Sequence, residues 1–261
     1  MPPIVTLTTD FGASDHYVGV MKGVILGICP AARIVDISHQ VTPYAIGEGA
    51  YLIGQAYRYF PKKTVHVVVV DPGVGTNRRA LVAQAGGQLF VAPDNGVLDL
   101  VCAREKHTVR AITNARYFLK PVSQTFHGRD VFSPVGAHLA AGVSAAQLGK
   151  RIEDYVRGGF DKPQLAGVGR FTGRALHVDG FGNVVTCFPT ADFLALANRK
   201  FALTVGSRQV TVLARNYAER PAGELFLIAG SGGYLEISVG QGSAAALTNC
   251  AAGAALELKI W

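Results

Sequence analysis

The chain has 261 residues, 49% of them hydrophobic and 16% charged, with 31 glycines and a formal net charge of +7. That composition excludes a disordered or fibrous chain and supplies enough length for a well-buried core, more naturally in two domains than in one. The surplus of Lys and Arg is scattered without interleaved aromatics, no stretch reaches the ~18 apolar residues of a membrane span, and Met1-Pro2-Pro3 opens without a basic n-region or long apolar core, so nucleic-acid and membrane partners are not expected and a cytoplasmic setting is.

The first half alternates strands and helices. Ile4 to Thr9 reads as a strand, and Asp15 to Cys29 as a helix with glycines 19, 23 and 27 on one face, stopped by Pro30. Ile34 to Ile37 is a second strand and Ile46 to Phe60 a helix ended by Pro61. Val65 to Val70 is an unbroken β-branched run, the pattern of a strand buried on both faces. Leu89-Phe90-Val91 leads into the turn Pro93-Asp94-Asn95-Gly96 and a helix through Ala103, and Ser133 to Val143 closes the half as a helix. This alternation predicts an α/β domain over 1–160 with a mainly parallel, Rossmann-like sheet.

From about Gly167 the pattern becomes strand, Gly-bearing turn, strand. Ala175 to Val178, Val184 to Phe188, Ala202 to Val205, Val210 to Ala214, Leu225 to Ala229, Tyr234 to Val239 and Ala254 to Ile260 predict a smaller antiparallel β-barrel over 167–261. Gly158, Gly159 and Pro163 place the boundary between Arg157 and Leu165. Cys29, Cys102, Cys187 and Cys250 lie far apart and read as buried free thiols.

Polar residues gather where strands run out, which is where parallel sheets hold ligands. Asp10 ends the first strand; it suits either ribose hydroxyls or a helix cap. Asp71 follows the valines, with a glycine loop behind it from which Arg78 returns; the pair can be catalytic or a plain ion pair. His127, beside Arg129 and Asp130, gains weight as a catalyst if it shares a cavity with Asp71. The turn Asp179-Gly180-Phe181-Gly182-Asn183 offers an acid, an aromatic face and an amide, or else is an ordinary hairpin. Asp10, Asp71 and Asp94 are weak evidence for a cation, and no dinucleotide, P-loop, zinc-protease or serine-hydrolase motif is present.

Thr8-Thr9-Asp10-Phe11-Gly12, Tyr17 to Gly23, Val70 to Thr76, Pro93-Asp94-Asn95-Gly96, Phe126-His127-Gly128-Arg129-Asp130 and Phe181-Gly182-Asn183, in that order along nearly the whole chain, resemble the S-adenosylmethionine hydroxide adenosyltransferase family, whose relatives include fluorinating and chlorinating enzymes. The resemblance implies hydrolysis of S-adenosylmethionine to adenosine and methionine without a cofactor or metal. It also implies a homotrimer whose sites combine the N-terminal domain of one subunit with the C-terminal domain of the next. Asp71, Arg78 and His127 fall on the family's catalytic trio, Asp71 and His127 positioning and deprotonating water and Arg78 holding the acid and favouring hydroxide. Asp10 then faces the ribose and Asp179 the methionine ammonium, with Phe181 and Asn183 around the adenine. Tyr17, Tyr44, Asp94, Asn95, Tyr217 and Ser231 line the substrate site in the same reading. Gly230 and Gly240 stand where an asparagine is common in the family, and Cys187 where another is usual. The rivals are a halide-using adenosyltransferase of the same fold and a non-catalytic binder of adenosine or S-adenosylmethionine.

Overall fold

A computed structural model describes residues 2–160 and 162–261. The expected boundary from Arg157 to Leu165 includes Asp161, which lies outside the described residues. The chain divides into two compact units, Met1–Gly159 and Phe160–Trp261. Among the described residues no helix is long and apolar enough to cross a membrane.

The first unit carries strands β1 (Ile4–Thr9), β2 (Arg33–Ser38), β3 (Val65–Val69), β4 (Ala80–Ala85), β5 (Gln88–Pro93), β6 (His107–Ala111) and β7 (Arg151–Ile152). Its helices are α1 (Tyr17–Ile28), α2 (Ile46–Ala56), α3 (Asp99–Arg104) and α4 (Ser133–Ala140). The sheet order is β2-β1-β3-β5-β4-β6-β7. As expected, β3 is buried along its whole length. Val65, Val67 and Val69 pack with Met21 and Ile25 of α1 and Val135 and Leu139 of α4, while Val68 and the following Val70 share a cluster with Ile53 of α2 and Val101 of α3. Each such side chain contributes roughly 1.5–3 kcal/mol by leaving water, which fixes the strand that carries Asp71.

The sheet is mixed, not mainly parallel. β1, β2, β3 and β5 pair in parallel, whereas β4 pairs antiparallel with β5 and β6, and β6 with β7. The sequence reading missed β4, β6 and β7. β4 has the composition Ala-Leu-Val-Ala-Gln-Ala, too rich in alanine to read as a strand on propensity. The stronger signal was Gly86-Gly87, with φ of +58° and +81°, a two-residue connection that turns β4 straight back into β5.

The second unit is a nine-stranded curled half-barrel rather than a sheet shown to close on itself. Its strands are β8 (Gln164–Gly167), β9 (Arg170–Val178), β10 (Val184–Pro189), β11 (Phe201–Val205), β12 (Arg208–Val210), β13 (Leu213–Ala214), β14 (Leu225–Ala229), β15 (Tyr234–Val239) and β16 (Ala255–Ile260). The order is β12-β11-β16-β9-β10-β15-β14-β13, with β8 pairing β9. All pairs are antiparallel except β13 with β14. The single strand predicted from Val210 to Ala214 is split in two, and a short helix α5 (Ala244–Thr248) precedes β16. All four cysteines are free and buried.

Candidate active site

β1 and β3 are parallel neighbours in register Thr9 to Val69, so Asp10 and Asp71 leave the same edge of the sheet close together. Asp10 feels the negative charge of Asp71, which adds to the main effect, burial, in raising its pKa. The Tyr44 backbone N–H donates to Asp10 Oδ2 at 3.0 Å and opposes that rise. Tyr44 reaches this position with φ of +68°, a left-handed conformation that costs a non-glycine residue of order 1 kcal/mol or more. The strain leaves the Tyr44 ring 73% exposed beside the carboxylate.

The loop after β3 folds back so that Arg78 meets Asp71 face on. Arg78 Nε donates to Asp71 Oδ1 and Oδ2, each at 2.9 Å, and Nη2 donates to Oδ2 at 2.5 Å. The Asp71 side chain is 4% exposed and that of Arg78 11%. The guanidinium also sits 5.1 Å from the centre of the Phe132 ring. Its Nη2 lies 2.7 Å from His127 Nδ1. The three groups are therefore brought together in the order acid, cation, imidazole.

Gly75 explains how two distant segments approach so closely. It adopts φ of +77°, and a Cβ there would sit 2.3 Å from the Gln124 carbonyl oxygen. Only glycine lets the Asp71 loop press against the segment leading into His127. His127 then caps the turn Gly128–Phe132, which runs directly into α4.

This order of groups decides the tautomer of His127. Arginine is always a donor, so Nδ1 must accept, and the neutral ring carries its proton on Nε2. Burial lowers the His127 pKa first and the Arg78 charge lowers it further, against smaller raising effects from Asp71 and from the Ser123 carbonyl that faces the ring. In this state His127 orients and donates; Asp71 has the lone pairs that can receive a proton. The sequence reading had both acting as bases.

Beside the trio, Phe11, Tyr17, Phe126 and Arg129 line a cavity of about 440 Å³. Tyr17 is 5.1 Å from Phe126, edge to face, and 5.9 Å from Phe11. A bracing chain missed by the sequence reading stands behind Asp10: Thr9 Oγ1 lies 2.8 Å from His39 Nδ1, and the Gly12 N–H donates to the His39 carbonyl at 2.8 Å.

Asp94 and Asn95 also leave this edge, but their polar atoms serve the loop. Asp94 Oδ2 accepts from Arg79 Nε at 2.7 Å and Oδ1 from the Val156 N–H at 2.8 Å. Asn95 Nδ2 donates to the Val70 carbonyl at 2.8 Å, which fixes the end of the valine run one residue before Asp71.

In the second unit, Asp179 organises its own turn. Oδ1 accepts from the Phe181 and Asn183 N–H groups at 2.9 and 2.8 Å, and Oδ2 from Asn183 Nδ2 at 2.9 Å. The turn holds the Phe181 ring out, 84% exposed. Ser231 is exposed in the Gly-rich connection between β14 and β15. Tyr217 is half-exposed and donates its hydroxyl to Glu236 Oε2 at 3.1 Å. Burial and the acids Glu236 and Asp179 push the Tyr217 pKa up to about 12. Burial also raises that of Glu236, with Asp179 adding to it and the Tyr217 bond opposing. Glu236 was not singled out in the sequence; the signal was an acid in the middle of an otherwise apolar strand, Tyr234-Leu235-Glu236-Ile237.

Residues 5–149 match the family model of the SAM hydroxide adenosyltransferase N-terminal domain, and residues 173–257 that of its C-terminal domain. The chain is 39% identical over 249 residues to an (R)-S-adenosyl-L-methionine hydrolase of Salinispora arenicola, covering 94% of this chain and 93% of the relative. A fluorinase of Nocardia brasiliensis is more distant, 28% identical over 291 residues, with 99% and 97% covered. The crystal structure of an uncharacterized conserved protein from Thermotoga maritima superposes with a TM-score of 0.86 at 39% identity, covering 98% of this chain and 99% of that one.

Proposed function

This chain belongs to the SAM hydroxide adenosyltransferase family, and from that premise we propose that it is a hydrolase of S-adenosyl-L-methionine, releasing adenosine and L-methionine. The observation that carries the reading is the Asp71–Arg78–His127 constellation, held at 2.5–2.9 Å on the edge where β1 and β3 end.

The chemistry asks little of leaving-group activation. As the C5′–S bond breaks, the sulfonium becomes a neutral thioether, while water oxygen forms the C5′–O bond and sheds one proton. The enzyme has to supply an aligned, partly desolvated oxygen and a place for that proton. His127 Nε2–H orients the water, Asp71 accepts the proton, and the fixed charge of Arg78 favours the hydroxide character that develops on oxygen. His127 bears no positive charge in this scheme, which spares the site a second cation beside a cationic substrate.

Asp10 takes the ribose hydroxyls, flanked by the Tyr44 ring, and Tyr17 supports the sulfonium side through its aromatic face, a contact worth ~0.5–2 kcal/mol. The Asp179 turn supplies Phe181 and Asn183 to the adenine and a negative potential to the methionine ammonium. Ser231 and Tyr217 complete that half. Asp94 and Asn95 act by holding the loop that carries Asp71. The reaction needs no cofactor or metal. The working form is a cytoplasmic homotrimer that joins a Rossmann-like domain of one subunit to a barrel-like domain of the next, as the family resemblance suggests.

The test is turnover of S-adenosyl-L-methionine by the wild type and by His127→Ala, with adenosine binding measured alongside. The account expects adenosine and methionine from the wild type, loss of turnover in the variant, and retained adenosine binding. Equal residual turnover in both proteins favours a binding module, and a 5′-halo product in chloride or fluoride favours a halide-using enzyme.

A further inference from the structure

We propose that Glu236 is a further specificity residue of this enzyme: it is the carboxylate that receives the α-ammonium of the substrate's amino-acid end, and Gly230 is what gives it room to do so. This inference rests on the function proposed above and assigns the recognition of one substrate charge.

Glu236 is 8% exposed, in the middle of the wholly buried strand β15. Among the described residues no lysine, arginine or histidine forms an ion pair with it. The groups that act on it are Tyr217, by one hydrogen bond, and Asp179, of like charge. A buried carboxylate facing a second acid without a cation is costly unless a cation is brought to it. S-adenosyl-L-methionine brings one.

Asp179 is the less suitable receiver. Three N–H groups of its own turn already point at its two oxygens. Glu236 accepts one bond from Tyr217 and keeps lone pairs free on both oxygens. Tyr217 orients the carboxylate, and Asp179 adds potential without direct contact.

The place of Glu236 depends on residue 230. A Cβ on Gly230 would lie 2.0 Å from Glu236 Oε1 and 2.3 Å from its Cδ. Any side chain at 230 therefore displaces the carboxylate. The asparagine common there in relatives is absent here, and the Glu236 carboxylate fills the space that the asparagine's first carbon would take.

The experiment compares S-adenosyl-L-methionine with its analogue lacking the α-amino group, using wild type, Glu236→Gln and Gly230→Ala. For the full substrate, both variants are expected to raise KM by about 10-fold or more with a smaller change in kcat, the effect of losing a charge-assisted contact made in ground and transition states alike. For the analogue, the variants and the wild type should have KM values within about 2-fold, because the lost partner is already missing. An equal KM rise for both compounds, or none for either, overturns the proposal. Kd values for the same pair by calorimetry keep the comparison independent of turnover, so failure of the hydrolase reading and failure of the Glu236 assignment give different results. Gly230→Ala, which retains the acid and only displaces it, carries the test if Glu236→Gln does not fold.

Discussion

Arg78 is the hinge of the proposed site, and Arg78→Met tests it with the stem length preserved. The substitution strips Asp71 of donors at 2.9, 2.9 and 2.5 Å while leaving its side chain in a position only 4% exposed. A buried carboxylate without its partner costs ~3–5 kcal/mol, more than a solvated surface pair, for which ~0–1 kcal/mol is usual. With about 2–4 °C of melting temperature per kcal/mol for a chain of this size, the loss corresponds to roughly 6–20 °C. Adding Asp71→Asn removes the stranded charge, so the double variant should be more stable than the two single losses predict, by ~1–3 kcal/mol of coupling. The same change acts on His127. Without the Arg78 charge one lowering influence disappears and the raising influence of Asp71 remains, so the His127 pKa rises, which an NMR titration of its ring proton reads directly. Turnover falls by about 10²–10³, the usual effect of deleting a preorganised charged donor. Denaturation curves for the three variants and the wild type, with adenosine formation followed by chromatography, give all these values. A loss below ~1 kcal/mol with no coupling to Asp71 would refute the reasoning, since the pair would then be an ordinary solvated one.

Other outcomes follow from the same geometry. Gly75→Ala sets a Cβ 2.3 Å from the Gln124 carbonyl, so it should push the Asp71 loop away from His127 and lower kcat at least ~10-fold in a steady-state assay, far more than a surface Gly→Ala change elsewhere. Asp10→Asn should weaken adenosine binding in calorimetry and leave binding of 2′,3′-dideoxyadenosine nearly unchanged. Stability has a marked acid dependence through His66, fully buried and stacked on Phe90 at 4.7 Å, whose pKa burial pushes down to about 4. Its folded pKa lies below the unfolded value, so the unfolded state binds the proton first as pH falls. The stability it confers is full above about 6.5 and is lost on going down to about 4, to a total of ~3 kcal/mol. Denaturation at pH 7, 5.5 and 4.5 should show this slope, and His66→Phe should flatten it.

Much of the first unit was legible because apolar periodicity reports burial directly. The valine run announced β3, and the polar residues just past it announced the edge where Asp10 and Asp71 meet. What could not be read was pairing. β4 is alanine-rich, and its direction depends on the Gly86-Gly87 turn, so the antiparallel half of the sheet stayed hidden. Within the site, residue types were legible and their order was not. That Arg78 stands between Asp71 and His127, and so sets the imidazole tautomer, depends on the close approach at Gly75 across residues far apart in sequence. The second half showed its turns but not the inward acid: alternation in β15 gives way to burial of every residue, and Glu236 passed as one polar position among apolar ones.

The most direct measurement of water delivery to the ribose carbon is turnover of S-adenosyl-L-methionine in ¹⁸O-labelled water, with mass analysis of both products. One ¹⁸O atom in the 5′-hydroxyl of adenosine and none in methionine is the predicted result, abolished in His127→Ala and in Arg78→Met. Unlabelled adenosine, or label in the amino-acid product, would contradict attack by water at C5′.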